Sequence, residues 1–78
     1  MKKDIKRMTL AQIRKKQRMT QKDVAERMLS MTRKKVSELE HSTDPPISLV
    51  IQYVKAIGGN LEFVILFDNE DSEILKRE

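Results

Sequence analysis

The sequence has no cysteine and no tryptophan, a single histidine, two glycines, two prolines and three aromatic residues among 78. Without cysteine there is neither a disulfide framework nor a thiolate metal site. His41 alone cannot build a histidine cluster, so no metal and no cofactor is expected, and the composition suits the cytoplasm. No apolar run approaches the roughly 20 residues that cross a bilayer, and the charged start lacks the apolar stretch of a signal peptide, so no membrane partner is expected. The length leaves room for one small core, not for a cofactor domain beside a substrate cleft. There is no glycine-rich phosphate loop, no plausible metal-ligand set and no nucleophile beside a base. The expectation is a binding module, with no enzymatic activity and no small-molecule substrate.

What the sequence does have is charge, unevenly placed. Residues 1–35 hold thirteen Lys/Arg against three Asp/Glu, a local balance of +10, whereas residues 36–78 hold three against nine, a balance of −6. A basic half of this strength forms an electrostatic surface for a polyanion, and nucleic acid phosphate is the commonest such partner. A basic helical face that merely solubilises has the same composition, so charge alone leaves the two readings level.

The apolar spacing predicts four helices. Thr9 caps a first one running to about Gln17 on Leu10, Ala11 and Ile13. Thr20 opens a second, in which Val24, Ala25 and Met28 form a buried face opposite Lys22, Asp23, Glu26 and Arg27. The pattern breaks at Leu29-Ser30-Met31, after which Thr32 caps a third helix with Val36 and Leu39 pointing inward. His41 to Pro46 reads as a surface loop. Ser48 is expected to cap a fourth helix with Val50, Val54 and Ile57 inward and Ile51 turned away, ended by Gly58-Gly59 where a left-handed residue is needed. The five methionines, Tyr53, Phe63 and Phe67 read as core and not as a base-stacking platform.

Leu61 to Phe67 changes period. Leu61, Phe63, Ile65 and Phe67 alternate while Val64 and Leu66 make the other face apolar, predicting a strand buried on both faces. No second strand pattern is visible, and one strand cannot satisfy its own backbone, so the expected partner is the same strand of a second copy in a two-fold homodimer. The layout expected is a basic arm at 1–8, a helical domain at 9–60, a dimerisation strand at 61–67 comprising Leu61, Phe63, Val64, Ile65, Leu66 and Phe67, and an acidic, fraying tail at 68–78.

The succession Ile13-Arg14, Thr20-Gln21, Val24-Ala25-Glu26-Arg27-Met28 and Val36-Ser37-Glu38-Leu39-Glu40 resembles the phage-repressor, or XRE (Cro-like), helix-turn-helix family. Its continuation, Ser48 and Tyr53 through Val64 with the Gly-Gly turn, is similar to the end of antitoxins of the HigA and HipB kind. The resemblance covers residues 9–67. It implies a mostly α, lambda-repressor-like helical bundle with a C-terminal strand paired across a homodimer. It also implies double-stranded DNA with two half-sites as the partner, repression of the protein's own promoter, and a toxin that the protein neutralises as the antitoxin of a type II pair. The rival expectation is a protein-interaction module without site-specific DNA recognition.

Residue roles follow from this likeness together with chemistry. Arg33, Lys34 and Glu38 occupy positions the family uses for bases. Arg33 has planar donors suited to guanine O6 and N7, Lys34 is a point charge that suits phosphate as well as base, and Glu38 suits cytosine N4 or a solvated pair with Lys34. Thr20, Gln21 and Lys22 at the start of the second helix, with Thr32, Lys35 and Ser37 on the third, are expected on phosphates. Arg14 and Glu40 match a family pair that ties the first helix to the end of the recognition helix. The turn departs from the family in lacking glycine and in being one residue longer. A one-residue shift would rotate the third helix by about 100°, so the base-contacting set depends on Val36 anchoring the register.

Overall fold

The computed structural model of the chain describes residues 7–68 and 71–76; most of the expected N-terminal arm, residues 1–6, lies outside them. Four helices, α1 (Leu10–Lys16), α2 (Gln21–Arg27), α3 (Arg33–His41) and α4 (Ile47–Ala56), are followed by two short strands, β1 (Phe63–Leu66) and β2 (Ser72–Leu75).

Threonine starts the first three helices. Thr9, Thr20 and Thr32 each hold extended backbone, and their hydroxyls accept the backbone N–H of Gln12, Asp23 and Lys35. At Thr9 and Thr20 the third helical residue answers, Gln12 and Asp23 accepting the backbone N–H of the cap residue to complete a capping box. The fourth start differs from expectation. Pro46 is the cap residue and Ile47 begins α4, with no side-chain cap bond, so Ser48 lies inside the first turn. A proline preset near φ −65° can lead into a helix without a capping hydroxyl. His41, expected in the loop, is the last residue of α3.

The core follows the 3.6-residue period. Val24, Ala25 and Met28 from α2 meet Val36 and Leu39 from α3 and Tyr53, Ala56 and Ile57 from the α4 segment, with Leu10, Ile13, Met31 and Leu49 packed around them. Val24, Val36 and Tyr53 are completely enclosed. Each such side chain contributes about 1.5–3 kcal/mol by leaving water. Because Val36 is one of them, the register of α3 is the one its apolar spacing predicts. The longer turn is absorbed by Ser30, which sits at φ 57°, a left-handed conformation that suits glycine.

Two helix ends share one backbone solution. After α4, Gly58 at φ 90° donates to the Lys55 carbonyl and Gly59 to that of Val54. After α1, Arg18 at φ 60° donates to Lys15 and Met19 to Arg14 in the same pattern. Both are Schellman turns, one with glycine at the left-handed position and one with arginine.

The C-terminal region corrects four expectations. β1 spans Phe63–Leu66, not 61–67. It pairs within the chain, antiparallel to β2, with Phe63 opposite Leu75, Val64 opposite Ile74, Ile65 opposite Glu73 and Leu66 opposite Ser72. Residues 72–75 are therefore strand and not a fraying tail. Finally, β1 is not buried on both faces in the single chain: Val64, Ile65, Leu66 and Phe67 remain about half exposed, as do Ile74 and Leu75. Phe67 N–H donates to the Asp71 carbonyl to close the hairpin, and four residues suffice for β2 because the pairing, not a long apolar run, satisfies its backbone.

Candidate nucleic-acid interface

The outer face of α3 is set by what its inner face buries. With Val36 and Leu39 turned inward, Arg33, Lys34, Ser37 and Glu38 line a shallow groove whose opposite rim is Gln21 of α2. Arg33, Lys34 and Glu38 are exposed and engage no other described side chain. The three residues expected on bases thus share one surface with two of those expected on phosphates. Lys22, exposed on the first turn of α2, is free in the same sense.

The other expected contacts are placed differently. The Thr20 and Thr32 hydroxyls accept the capping N–H groups, at 3.0 and 3.2 Å. Each retains its own O–H as a donor. Lys35 lines a second groove, between the turn and α4, with Leu29, Met31, Leu39 and Leu49, and Glu38 borders both grooves.

Behind the groove lies a polar hub. Arg14 Nε donates to Glu40 Oε2 at 2.6 Å and Nη2 to Oε1 at 3.3 Å, while Nη1 donates to the Met19 carbonyl at 3.0 Å. Gln21 Nε2 donates to Glu40 Oε1 at 3.0 Å and the Tyr53 hydroxyl to Oε2 at 2.5 Å. The Arg14 and Glu40 side chains are only 8% and 2% exposed. One carboxylate therefore gathers donors from α1, α2 and α4 onto the end of α3. Burial pushes the Glu40 carboxyl up, but the hydrogen bonds from Arg14, Tyr53 and Gln21 outweigh it and hold the group below its ordinary value. Burial, and then the bond to Glu40, push the Tyr53 hydroxyl well up. The bond to Glu40 likewise raises Arg14, against the opposing effect of burial. Sequence reasoning named Arg14 and Glu40 and rightly placed Tyr53 in the core, but it did not foresee the Tyr53 hydroxyl or the Gln21 amide at Glu40. The available signal was Tyr53 itself, since a tyrosine among apolar neighbours needs a partner for its hydroxyl.

Outside the hub, Arg27 Nη1 donates to the Ala56 carbonyl at 3.2 Å and ties α2 to the negative end of α4. Among the described residues no group of three or more His, Cys, Asp or Glu is placed to hold a metal ion, and no helix is long and apolar enough to cross a membrane.

Comparison with known proteins agrees with this architecture. A family model described as helix-turn-helix matches residues 10–64. A solved structure described as DNA bound antitoxin HigA3 superposes with a TM-score of 0.78 and 31% identity over 95% of this chain and 96% of its own. A second, described as induced DNA bending by unique dimerization of HigA antitoxin, superposes with a TM-score of 0.77 and 31% identity over 96% of this chain and 100% of its own. No curated protein sequence matches. The family match takes in the Thr20 and Thr32 caps, the buried faces of α2 and α3, and the Arg14–Glu40 hub, and the chain belongs to the helix-turn-helix family in its XRE (Cro-like) form.

Proposed function

We propose that the protein is a sequence-specific, DNA-binding repressor of its own promoter, acting in the cytoplasm as a dimer on a two-half-site operator, and that it is the antitoxin of a toxin–antitoxin pair. The observation that carries this reading is the groove on α3, where Arg33 and Lys34 lie exposed beside Gln21, Ser37 and Glu38 and form no ion pair among the described residues. Arg33, Lys34 and Glu38 read base edges in the major groove. Thr20, Gln21, Lys22, Thr32, Lys35 and Ser37 hold phosphates and fix the register. The two solved HigA antitoxins supply the precedent for DNA and for dimerisation, and antitoxin identity supplies the toxin partner. The site presents donors and charge suited to a polyanion, and binding is the work proposed for it.

Dimerisation rests on the hairpin. An isolated two-stranded hairpin is marginal in water, and this one carries apolar side chains on both faces. One edge of β1 is taken by β2; among the described residues nothing pairs with the other, which suits β1 of a second copy and would set the apolar side chains of the two hairpins side by side. Replacing Ile65 by Lys should convert the dimer to a monomer in solution-mass measurements. An unchanged dimer mass would remove strand pairing as its basis.

The functional test is binding to the protein's own upstream DNA against a scrambled duplex, at about 50 and 200 mM salt, where release of counterions is evident. Specific, salt-sensitive binding with a two-fold footprint is expected. Arg33→Ala should lose about 1–3 kcal/mol on the operator and relax a single base position. Equal, weak binding to both duplexes would overturn the reading in favour of a protein-interaction module.

A further inference from the structure

We propose that Arg18, at the corner between α1 and α2, is an additional DNA-phosphate contact that extends the recognition groove beyond the residues of α2 and α3. The inference rests on the DNA-binding reading above.

The first observation is conformational. Arg18 occupies the left-handed position of a Schellman turn at φ 60°, and the equivalent position after α4 is glycine at φ 90°. A β-carbon is disfavoured in this region, and strained backbone of this sort gathers at functional positions. Stability alone favours glycine at Arg18, as at Gly58; the position instead carries a long cation.

The second is electrostatic. Arg18 is exposed and engages no other described side chain. The next carboxylate along the chain, Asp23, is committed to the Thr20 backbone N–H at 2.8 Å. Lys15 and Lys16 precede Arg18, also exposed, so the corner is a cationic ledge without a counter-ion from the described residues.

The third is placement. Arg18 lies three residues before Gln21, the α2 rim of the Arg33–Lys34 groove, so their α-carbons are at most about 11 Å apart. That is the rise of about three base pairs, so the corner lies within a few phosphates of a DNA strand seated along this rim. The corner is also held in place. Arg14 Nη1 donates to the Met19 carbonyl at 3.0 Å, and Met19 N–H donates to the Arg14 carbonyl at 3.2 Å, so the residue after Arg18 is fastened to the Glu40 hub. A cation on a fixed mount loses less conformational freedom when it meets phosphate.

The test compares Arg18→Gly, Arg18→Lys and Lys55→Gln with wild type. Lys55, on the last turn of α4, is an exposed cation outside the proposed surface. Binding to operator and scrambled duplexes is followed from 50 to 200 mM salt, together with thermal unfolding. For Arg18→Gly, the slope of log affinity against log salt should be shallower by about 0.9 per protomer on both duplexes. Over that fourfold range of salt, this amounts to about a 3.5-fold smaller loss of affinity per protomer. The same variant should melt no lower than wild type, since glycine suits the turn. Arg18→Lys should retain the slope, and Lys55→Gln should leave it unchanged. An unaltered slope in Arg18→Gly, or an equal drop in Lys55→Gln, would overturn the proposal. Binding by wild type that is salt-dependent but indifferent to sequence would defeat the operator reading alone, while the Arg18 slope still decides this one. No salt-dependent binding to either duplex would overturn both.

Discussion

Replacing Glu40 by alanine is the most informative single perturbation of this molecule. Glu40 takes hydrogen bonds from three side chains and is 2% exposed, and its cationic partner Arg14 is 8% exposed. Removing the carboxylate leaves Gln21 able to turn to solvent and Tyr53 with the Leu10 carbonyl at 3.2 Å, but it leaves the Arg14 guanidinium enclosed with the Met19 carbonyl as its one acceptor. Breaking a buried pair from one side costs about 3–5 kcal/mol. A chain of this length holds roughly 4–12 kcal/mol in total, so the loss is about a quarter of its stability or more. At about 4–8 °C per kcal/mol, the Tm should fall by at least about 12 °C. The assay is urea and thermal unfolding by circular dichroism at fixed protein concentration, since the proposed dimer would make stability depend on concentration. The companion is a double-mutant cycle with Arg14→Met and Glu40→Leu. Replacing both partners by apolar residues should recover most of the loss, because no uncompensated charge remains. A Glu40→Ala cost under about 1 kcal/mol, the range of an exposed ion pair, or strict additivity in the cycle, would refute the view that the hub is one enclosed unit.

Two further outcomes follow from individual residues. The Glu40 carboxyl is held below the ordinary value of 4.5, so below that pH the unfolded chain binds more protons than the folded one. Its contribution is therefore complete above about pH 4.5 and declines as pH falls through the lowered value, and Glu40→Gln should flatten the acid limb of a Tm-against-pH profile; an unchanged limb would count against the hub as its source. Ser30→Gly should relieve the left-handed strain at φ 57°, partly offset by glycine's greater freedom when unfolded, for a net gain of about 0.5–1 kcal/mol; a lower Tm would show that the Ser30 side chain contributes to the turn.

Sequence reasoning succeeded where a residue's role is set by its near neighbours. Thr9, Thr20 and Thr32 announce helix starts because a capping hydroxyl serves a backbone N–H three residues on. Val24, Ala25, Met28, Val36 and Leu39 announce the core because burial has a fixed period along a helix. The α4 start was misplaced because Pro46 works by its preset backbone, which lends no hydroxyl, whereas Ser48 has the hydroxyl at the wrong position. β2 was missed because Ser72-Glu73-Ile74-Leu75 is short and half polar; its strand character comes from pairing with Phe63–Leu66 across the turn. The pairs that build the hub are 26, 19 and 13 residues apart, beyond any local period. Likeness to a family supplied the first of these pairs. That Gln21 and the Tyr53 hydroxyl meet at Glu40 became visible only once the helices were assembled.

The hub and the groove solve different parts of one geometric problem. A recognition helix must be fixed in rotation about its axis, in position along it and in tilt. Val36 and Leu39 fix the rotation, since turning α3 by one residue would move both out of the core. Apolar contacts constrain the other two less tightly, because packed surfaces tolerate small repacking. Glu40 supplies what they lack: its two oxygens take directional hydrogen bonds from α1, α2 and α4, so a shift or tilt of α3 lengthens at least one of them. The cost of enclosing charge is met at one end of α3, and Arg33 and Lys34 at the other remain in water without carboxylate partners among the described residues. An arginine already paired to the protein must give up that pair to grip a phosphate or a base; these need not. The segregation of one enclosed, satisfied ion pair from a row of unpaired surface cations is what makes the same small helix both rigidly mounted and free to bind.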